Sequence, residues 1–204
     1  MFTGIVEAIG TVEALEPKGG DLSIRVNTGK LDLSDVQLGD SICTNGCCLT
    51  VVELTGSGYV ADVSTETLKV TTLDGWKVGT QVNLEKSLTP MTRMGGHMVS
   101  GHVDGIAEVL SRETSARADV FWLKAPEALA KYIAHKGSVT IDGTSLTVNE
   151  VNGSEFCLTI VPHTLQETVM SDYEVGTQVN IEVDLVARYL ERLQMGSAAA
   201  EKQK

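Results

Sequence analysis

The sequence predicts an all-β molecule: two similar antiparallel barrels in tandem, followed by one C-terminal α-helix. Three observations carry this. The chain is written twice at an offset of 97 residues, and Val78-Gly79-Thr80-Gln81-Val82-Asn83 recurs with every residue identical as Val175-Gly176-Thr177-Gln178-Val179-Asn180. Each copy is a series of short β-branched runs separated by glycine-containing turns, the pattern of a small barrel. Only the segment after the second copy shows a clear helical stripe. Solenoid repeats run to about 20–50 residues and need their neighbours, whereas a repeat this long can bury its own core.

In the first copy the strands are read at Leu22–Val26, Leu49–Val52, Tyr59–Val63 and Gln81–Glu85. Turns fall at Glu16–Asp21, Thr55–Gly58 and Leu73–Trp76. The second copy repeats the scheme at Val120–Leu123, Leu146–Val148 and Phe156–Ile160. Pro126–Ile133 reads as a helix with proline in its first turn, and Leu31–Val36 as a weaker counterpart. Asp184 is suited to cap a final helix in which Leu185, Val186, Tyr189, Leu190 and Leu193 share one stripe. That stripe has two places to go: its own barrel, or a seam between subunits. The expected divisions are a first barrel over 1–97, a second over 98–183, an oligomerisation helix over 184–195 and a flexible tail over 196–204.

Hydrophobic residues make up 42% of the chain and charged residues 21%, and the net charge is −11. Such a surface repels phosphate backbones, which argues against nucleic acid. No apolar stretch reaches the roughly 18 residues of a membrane span. The folded pattern starts at Met1-Phe2-Thr3-Gly4 without the apolar core of a secretion signal, so a cytoplasmic location is expected. Cys47 and Cys48, adjacent on one strand, point to opposite faces and do not suit a disulfide framework. Reduced thiols are expected for these two, for Cys43 and for Cys157.

The repeat aligns two strands that could carry chemistry. Cys48-Leu49-Thr50 matches Ser145-Leu146-Thr147. With a period of two, Leu49 and Leu146 face one side, and Cys48 with Thr50, or Ser145 with Thr147, the other. Gly4-Ile5-Val6 matches Gly101-His102-Val103, so an imidazole stands in one copy where the other is apolar. A histidine there could move protons near neutral pH or simply pack. Asp62-Val63-Ser64-Thr65-Glu66-Thr67 and Thr159-Ile160-Val161-Pro162-His163-Thr164 end matching strands and are expected to open into loops, a common place for ligand contacts. His97 and His102 with Cys43, Cys47 and Cys48 follow no standard zinc spacing, so no metal is expected.

Taken in order, Met1–Glu7, Asn45–Val51, Gly95-Gly96-His97-Met98-Val99-Ser100-Gly101-His102-Val103 and Asp142–Val148 resemble riboflavin synthase of the alpha-chain type, from Met1 to about Leu193. The resemblance implies six-stranded Greek-key barrels and a homotrimer gathered by the last helix. It implies that two molecules of 6,7-dimethyl-8-ribityllumazine exchange a four-carbon unit in each active site, giving riboflavin and 5-amino-6-(D-ribitylamino)uracil, with no cofactor. The sites are expected between the first barrel of one subunit and the second barrel of its neighbour. The tracts above, together with Lys136, then become ligand contacts, with backbone groups of the glycine tracts pairing with the heterocycle edge. His102 becomes the proton-transfer group, and Cys48 or Ser145 the polarising or adding group. Lumazine-carrying proteins share the resemblance without the catalysis. The retention of both strands and of His102 favours the enzyme.

Overall fold

The computed structural model describes residues 1–196, and the expected tail beyond Gly196 lies outside the described residues. Strands β1 (Ala8–Lys18), β2 (Asp21–Asn27), β3 (Ser41–Thr44), β4 (Cys47–Leu54), β5 (Gly58–Val63) and β6 (Gln81–Lys86) close a barrel in the order β1-β2-β5-β4-β3-β6. Strands β7 (Gly105–Ser115), β8 (Ala118–Lys124), β9 (Ser138–Ile141), β10 (Thr144–Asn152), β11 (Glu155–Ile160) and β12 (Gln178–Val183) close a second barrel in the same cyclic order. The jump from β2 to β5, and from β8 to β11, gives the Greek-key path. Closure leaves neither sheet with an open edge.

Bulges supply the curvature that closure needs. They fall between Val12 and Ala14 and between Val51 and Glu53, and recur at the matched places, Val109/Ser111 and Val148/Glu150. Inward positions fill each barrel: Ile24, Ile42, Tyr59 and Leu84 in the first, Phe121, Ile141, Phe156 and Leu158 in the second, all fully buried or nearly so. Removing any of these from water contributes on the order of 1.5–3 kcal/mol. The β3–β4 and β9–β10 hairpins turn through Asn45-Gly46 and Asp142-Gly143, with all four residues at positive φ. Asn-Gly and Asp-Gly are the pairs that this mirror-image turn favours.

A seam joins the barrels about an internal two-fold. Phe2 and Val99, matched residues, pair as an antiparallel bridge. Asn83 Nδ2 donates to the Asp142 carbonyl (2.9 Å), and Asn180 Nδ2 to the Asn45 carbonyl (2.8 Å). Asn180 Oδ1 accepts from Thr72 N–H (2.7 Å), and Asn83 Oδ1 from Val169 N–H (2.8 Å). The hairpin tips touch, since a Cβ on Gly46 would meet Gly143 N at 3.1 Å.

Several expectations are corrected. The first turn narrows to Gly19-Gly20, because β1 runs on to Lys18 and pairs with Asp21. Leu31–Val36 is irregular, and Pro126–Ile133 reduces to a 3-10 segment, Glu127–Tyr132, with Pro126 as its cap. The strand ends at Val63 and Ile160 do not open into loops. They lead into short helices, α1 (Thr65–Val70) and α2 (Pro162–Glu167), which six-residue windows are too short to reveal by periodicity. The final helix, α3 (Leu185–Gln194), begins at Asp184, whose side chain accepts from Val186 N–H. Its own barrel does not cover the apolar stripe: Val186, Tyr189, Leu190 and Leu193 are 54–78% exposed. Its other face is tied down by Arg188 to Asp104 and by Glu191 to Lys131 and Tyr132.

Candidate active site

The two glycine tracts are exchanged between the barrels. Gly4, from the segment leading into the first barrel, accepts a hydrogen bond on its carbonyl from Ser145 N–H of the second (2.8 Å). Gly101, leading into the second barrel, accepts in the same way from Cys48 N–H of the first (2.8 Å). Only glycine fits either place. Their φ values are +75° and +77°, and an added Cβ would meet Ser145 Cβ at 2.5 Å or Cys48 Cβ at 2.7 Å. Each tract is anchored from beneath by its own barrel. Glu85 accepts from Thr3 N–H and Oγ–H and from Gly4 N–H; Glu182 accepts from Ser100 N–H and Oγ–H and from the amides of Gly101 and His102. Burial pushes both carboxyls up, and the bonds from the loop oppose it.

This arrangement regroups the candidate residues. His102 belongs to the second copy but lies with Cys48, Glu66 and Thr67 of the first barrel, lining a cleft of about 190 Å³. The residues matched to these by the repeat are Ser145, His163 and Thr164 of the second barrel and Gly4, Ile5 and Val6 of the first copy, and of them Gly4 and Ser145 are joined by a hydrogen bond. The proposed catalytic trio is thus divided: His102 and Cys48 share one cleft, while Ser145 stands with the Gly4 tract. The backbone of His102 is held on both sides, by Glu182 (3.0 Å) and by Arg188 to its carbonyl (3.3 Å). Its ring has no hydrogen-bond partner among the described residues.

The glycine tracts do less direct ligand binding than expected, because the amides and carbonyls of Gly4 and Gly101 are already engaged. Among the described residues it is the Val6 and Val103 amides that have no protein partner. Leu49, Val63 and Ile160 turn into the barrel cores, and Leu146 packs against the second. Thr50 and Thr147 stand exposed on the outer faces of β4 and β10. Asp62 pairs with Lys18 (2.9 Å), and its match Thr159 accepts from Asn149 (2.7 Å). The Lys18 ammonium holds the Asp62 carboxyl below the usual range. Ser64 is spent on capping α1 and Thr65 N–H on Asp21, while Pro162 starts α2 and Val161 is exposed. Lys136 is exposed, and no contact places it in either cleft. Its φ of +62° matches Gly39 at +94°, and both amides donate to matched carbonyls, Val148 and Val51.

Two residues escaped the sequence reading. His97, considered there only as a metal ligand, bonds through Nδ1 to Ser145 Oγ (2.7 Å) and through Nε2 to Thr140 Oγ1 (3.2 Å). Burial pulls its pKa down, and the Asp184 carboxylate opposes this. Asp184 was read only as a helix cap. The Gly95-Gly96 pair before His97 was the available signal: a Cβ on Gly96 would meet Ser145 Cβ at 2.7 Å. Among the described residues no group of three His, Cys, Asp or Glu could hold a metal ion. A larger cleft, about 900 Å³, lies over the seam between Trp76 and Tyr173 and contains none of the expected ligand tracts. Its most buried acid, Asp142, is already engaged by Tyr173 and Asn180.

Comparison with known proteins agrees with this architecture. Residues 3–87 and 100–184 each match the lumazine binding domain family, again 97 residues apart. The chain is 57% identical over 203 residues to riboflavin synthase of Photobacterium phosphoreum, covering 100% of this chain and 93% of that one. It is 42% identical over 192 residues to riboflavin synthase of Bacillus subtilis, covering 94% and 89%. Among solved structures, LumP complexed with riboflavin superposes with a TM-score of 0.83 at 25% identity, covering 90% of this chain and 99% of that one. LumP with 6,7-dimethyl-8-(1′-D-ribityl)lumazine gives 0.81 at the same identity and coverage. Two matched lumazine-binding barrels and full-length likeness to these synthases show that the chain belongs to the riboflavin synthase family.

Proposed function

We propose that the chain transfers a four-carbon unit between two molecules of 6,7-dimethyl-8-ribityllumazine, yielding riboflavin and 5-amino-6-(D-ribitylamino)uracil. One observation supports the reading: the two matched barrels exchange their glycine tracts, Gly4 bonding to Ser145 and Gly101 to Cys48, so that two like places are built from both copies. A reaction whose donor and acceptor are the same compound needs two like places to hold it. Holding both replaces a bimolecular encounter by an oriented one, which is where much of the acceleration arises.

The 7-methyl protons of the lumazine are acidic because the ring delocalises the carbanion. His102 is the base for this step: its backbone is fixed and its ring is left free in the Cys48 cleft. Cys48 and Ser145 are the groups placed to polarise or add to a bound ring. Glu66, Thr67 and His163, Thr164 offer polar contacts at the two clefts, and Lys136 is assigned to a neighbouring subunit's ligand. Domain limits follow the repeat, 1–97 and 98–183, and each barrel holds one substrate against the glycine tract of the other copy.

The exposed stripe on α3 is the surface for assembly, and the family resemblance supplies the number three. In the trimer two lumazines would meet across a subunit boundary. All four cysteines are free, which suits a reducing cytoplasm. A carrier reading is favoured by the LumP likeness, but that is at 25% identity, against 57% and 42% to the synthases. Purified protein given the lumazine alone separates the two. Riboflavin accumulating over many turnovers supports the synthase. Stoichiometric binding without turnover would make it a carrier.

A further inference from the structure

The two barrels carry chemically different pairs at matched places in the hairpin beside each cleft. In the first, Cys43 stands directly across from Cys48; in the second, Thr140 stands across from Ser145. Only the second pair is read by an imidazole, that of His97. Gly96 lets the chain press against Ser145, and the amide of His97 donates to the Thr3 carbonyl (3.1 Å), so the ring is fixed from its own backbone as well.

From these contacts we infer that His97 is a positioning residue for Ser145, holding its hydroxyl as a donor to Nδ1 so that the oxygen keeps its lone pairs for a bound ring. Both contacts, 2.7 Å to Ser145 and 3.2 Å to Thr140, lie in the hydrogen-bond range. The inferred polarity puts the ring proton on Nε2, donated to Thr140, and leaves Nδ1 to accept. Burial favours the neutral ring that this needs. The charged group acting on the ring is Asp184, at the start of α3. The nearby carboxylates on β6 and β12, Glu85 and Glu182, are occupied by the loop amides. A hydroxyl bonded to a neutral base is the general arrangement of an activated oxygen. Cys48 has no such partner, so of the two candidates for the adding or polarising group the geometry selects Ser145.

The inference rests on the proposed lumazine reaction, and the test has one arm that does not. In the wild-type protein, ¹⁵N imidazole shifts should show His97 with Nδ1 unprotonated; a protonated Nδ1 at neutral pH overturns the assignment whatever the activity. In the second arm, kcat/KM for the lumazine should fall on the acid side through two ionisations, one as His97 takes up a proton and one as His102, the base, does. His97→Leu should lower it roughly tenfold, the size of one neutral hydrogen bond, and leave a single acid-side ionisation. His97→Asn, which keeps an acceptor near Nδ1, should recover much of the rate, again with a single ionisation. In a Ser145→Ala background His97→Leu should cost nothing further. Independent losses from the two substitutions, or two acid-side ionisations kept by His97→Leu, would overturn the inference. A wild-type protein that binds lumazine without turnover would refute the function reading and leave the spectroscopic arm standing.

Discussion

Replacing Asn83 by Ala should loosen the joint between the barrels more than its single side chain suggests. Asn83 is 2% exposed. Its amide nitrogen donates to the Asp142 carbonyl at 2.9 Å, and its oxygen accepts from Val169 N–H at 2.8 Å. Alanine leaves both backbone groups buried with no partner. Each orphan costs about 1–3 kcal/mol, so the pair costs about 2–6 kcal/mol, a large share of the roughly 5–15 kcal/mol that holds a typical protein folded. The chain has two tryptophans, Trp76 packed in the first barrel core and Trp122 on β8 of the second. Urea unfolding followed by fluorescence, with each tryptophan in turn replaced by Phe, therefore reports on the barrels separately. Both midpoints should drop in Asn83→Ala, because the lost bonds bind one barrel to the other. Asn180→Ala should behave alike, having the twin contacts. A loss below about 1 kcal/mol in both variants would refute the view that these amides join the barrels.

Two further substitutions test charge and backbone. Burial pushes the Asp142 carboxyl up to about 7, above the 3.8 of a free aspartate, against the bonds from Tyr173 and Asn180. The folded protein then keeps a proton that the unfolded chain has lost, so this contribution is complete below about pH 4 and drains away as the pH rises to about 7. Asp142→Asn should flatten stability against pH over that window in thermal melts, and an unchanged slope would count against the buried acid. Lys136→Gly should hold or raise the melting temperature, by relieving a left-handed conformation that costs a side-chain-bearing residue about 1–2 kcal/mol. The same variant should lose lumazine turnover if Lys136 reaches a neighbour's ligand; unchanged kinetics would remove it from the site.

Seven of the twelve strands were legible in the sequence because alternation and β-branched runs are local signals; β1, β3, β7, β9 and β12 were not located, and the count of six per barrel came from the family resemblance. The helices α1 and α2 were not legible, since six residues give less than two turns in which to show a period. Proline before Glu127 was read as a first helical residue, but the segment winds as a tight 3-10 turn. Leu49, Val63 and Ile160 were drawn into the candidate site as members of motifs, although the same period-two rule that exposes Cys48 sends Leu49 inward. His97 was missed for a different reason. Its partners, Ser145 and Thr140, lie more than 40 residues along the chain, and no local pattern announces such a bond.

The duplication misleads if its copies are compared as self-contained units. Matched differences such as Ile5 against His102 suggest that each copy tunes its own site, yet the entry segments cross over: His102 lines the cleft of Cys48, and Ile5 follows Gly4, which bonds to Ser145. Neither cleft can then diverge alone, because each takes its glycine tract from the other copy. The identity of Val78–Asn83 and Val175–Asn180 has its explanation here as well. The segment lies outside the 190 Å³ cleft and ends in the two asparagines that reach across the seam. An interface about a two-fold asks the same residue to do the same job on both sides, so those positions stay alike while the clefts differ. The seam also fixes where Gly4 meets Ser145 and Gly101 meets Cys48. A change that parts the barrels should therefore disturb both clefts together, however far it lies from either.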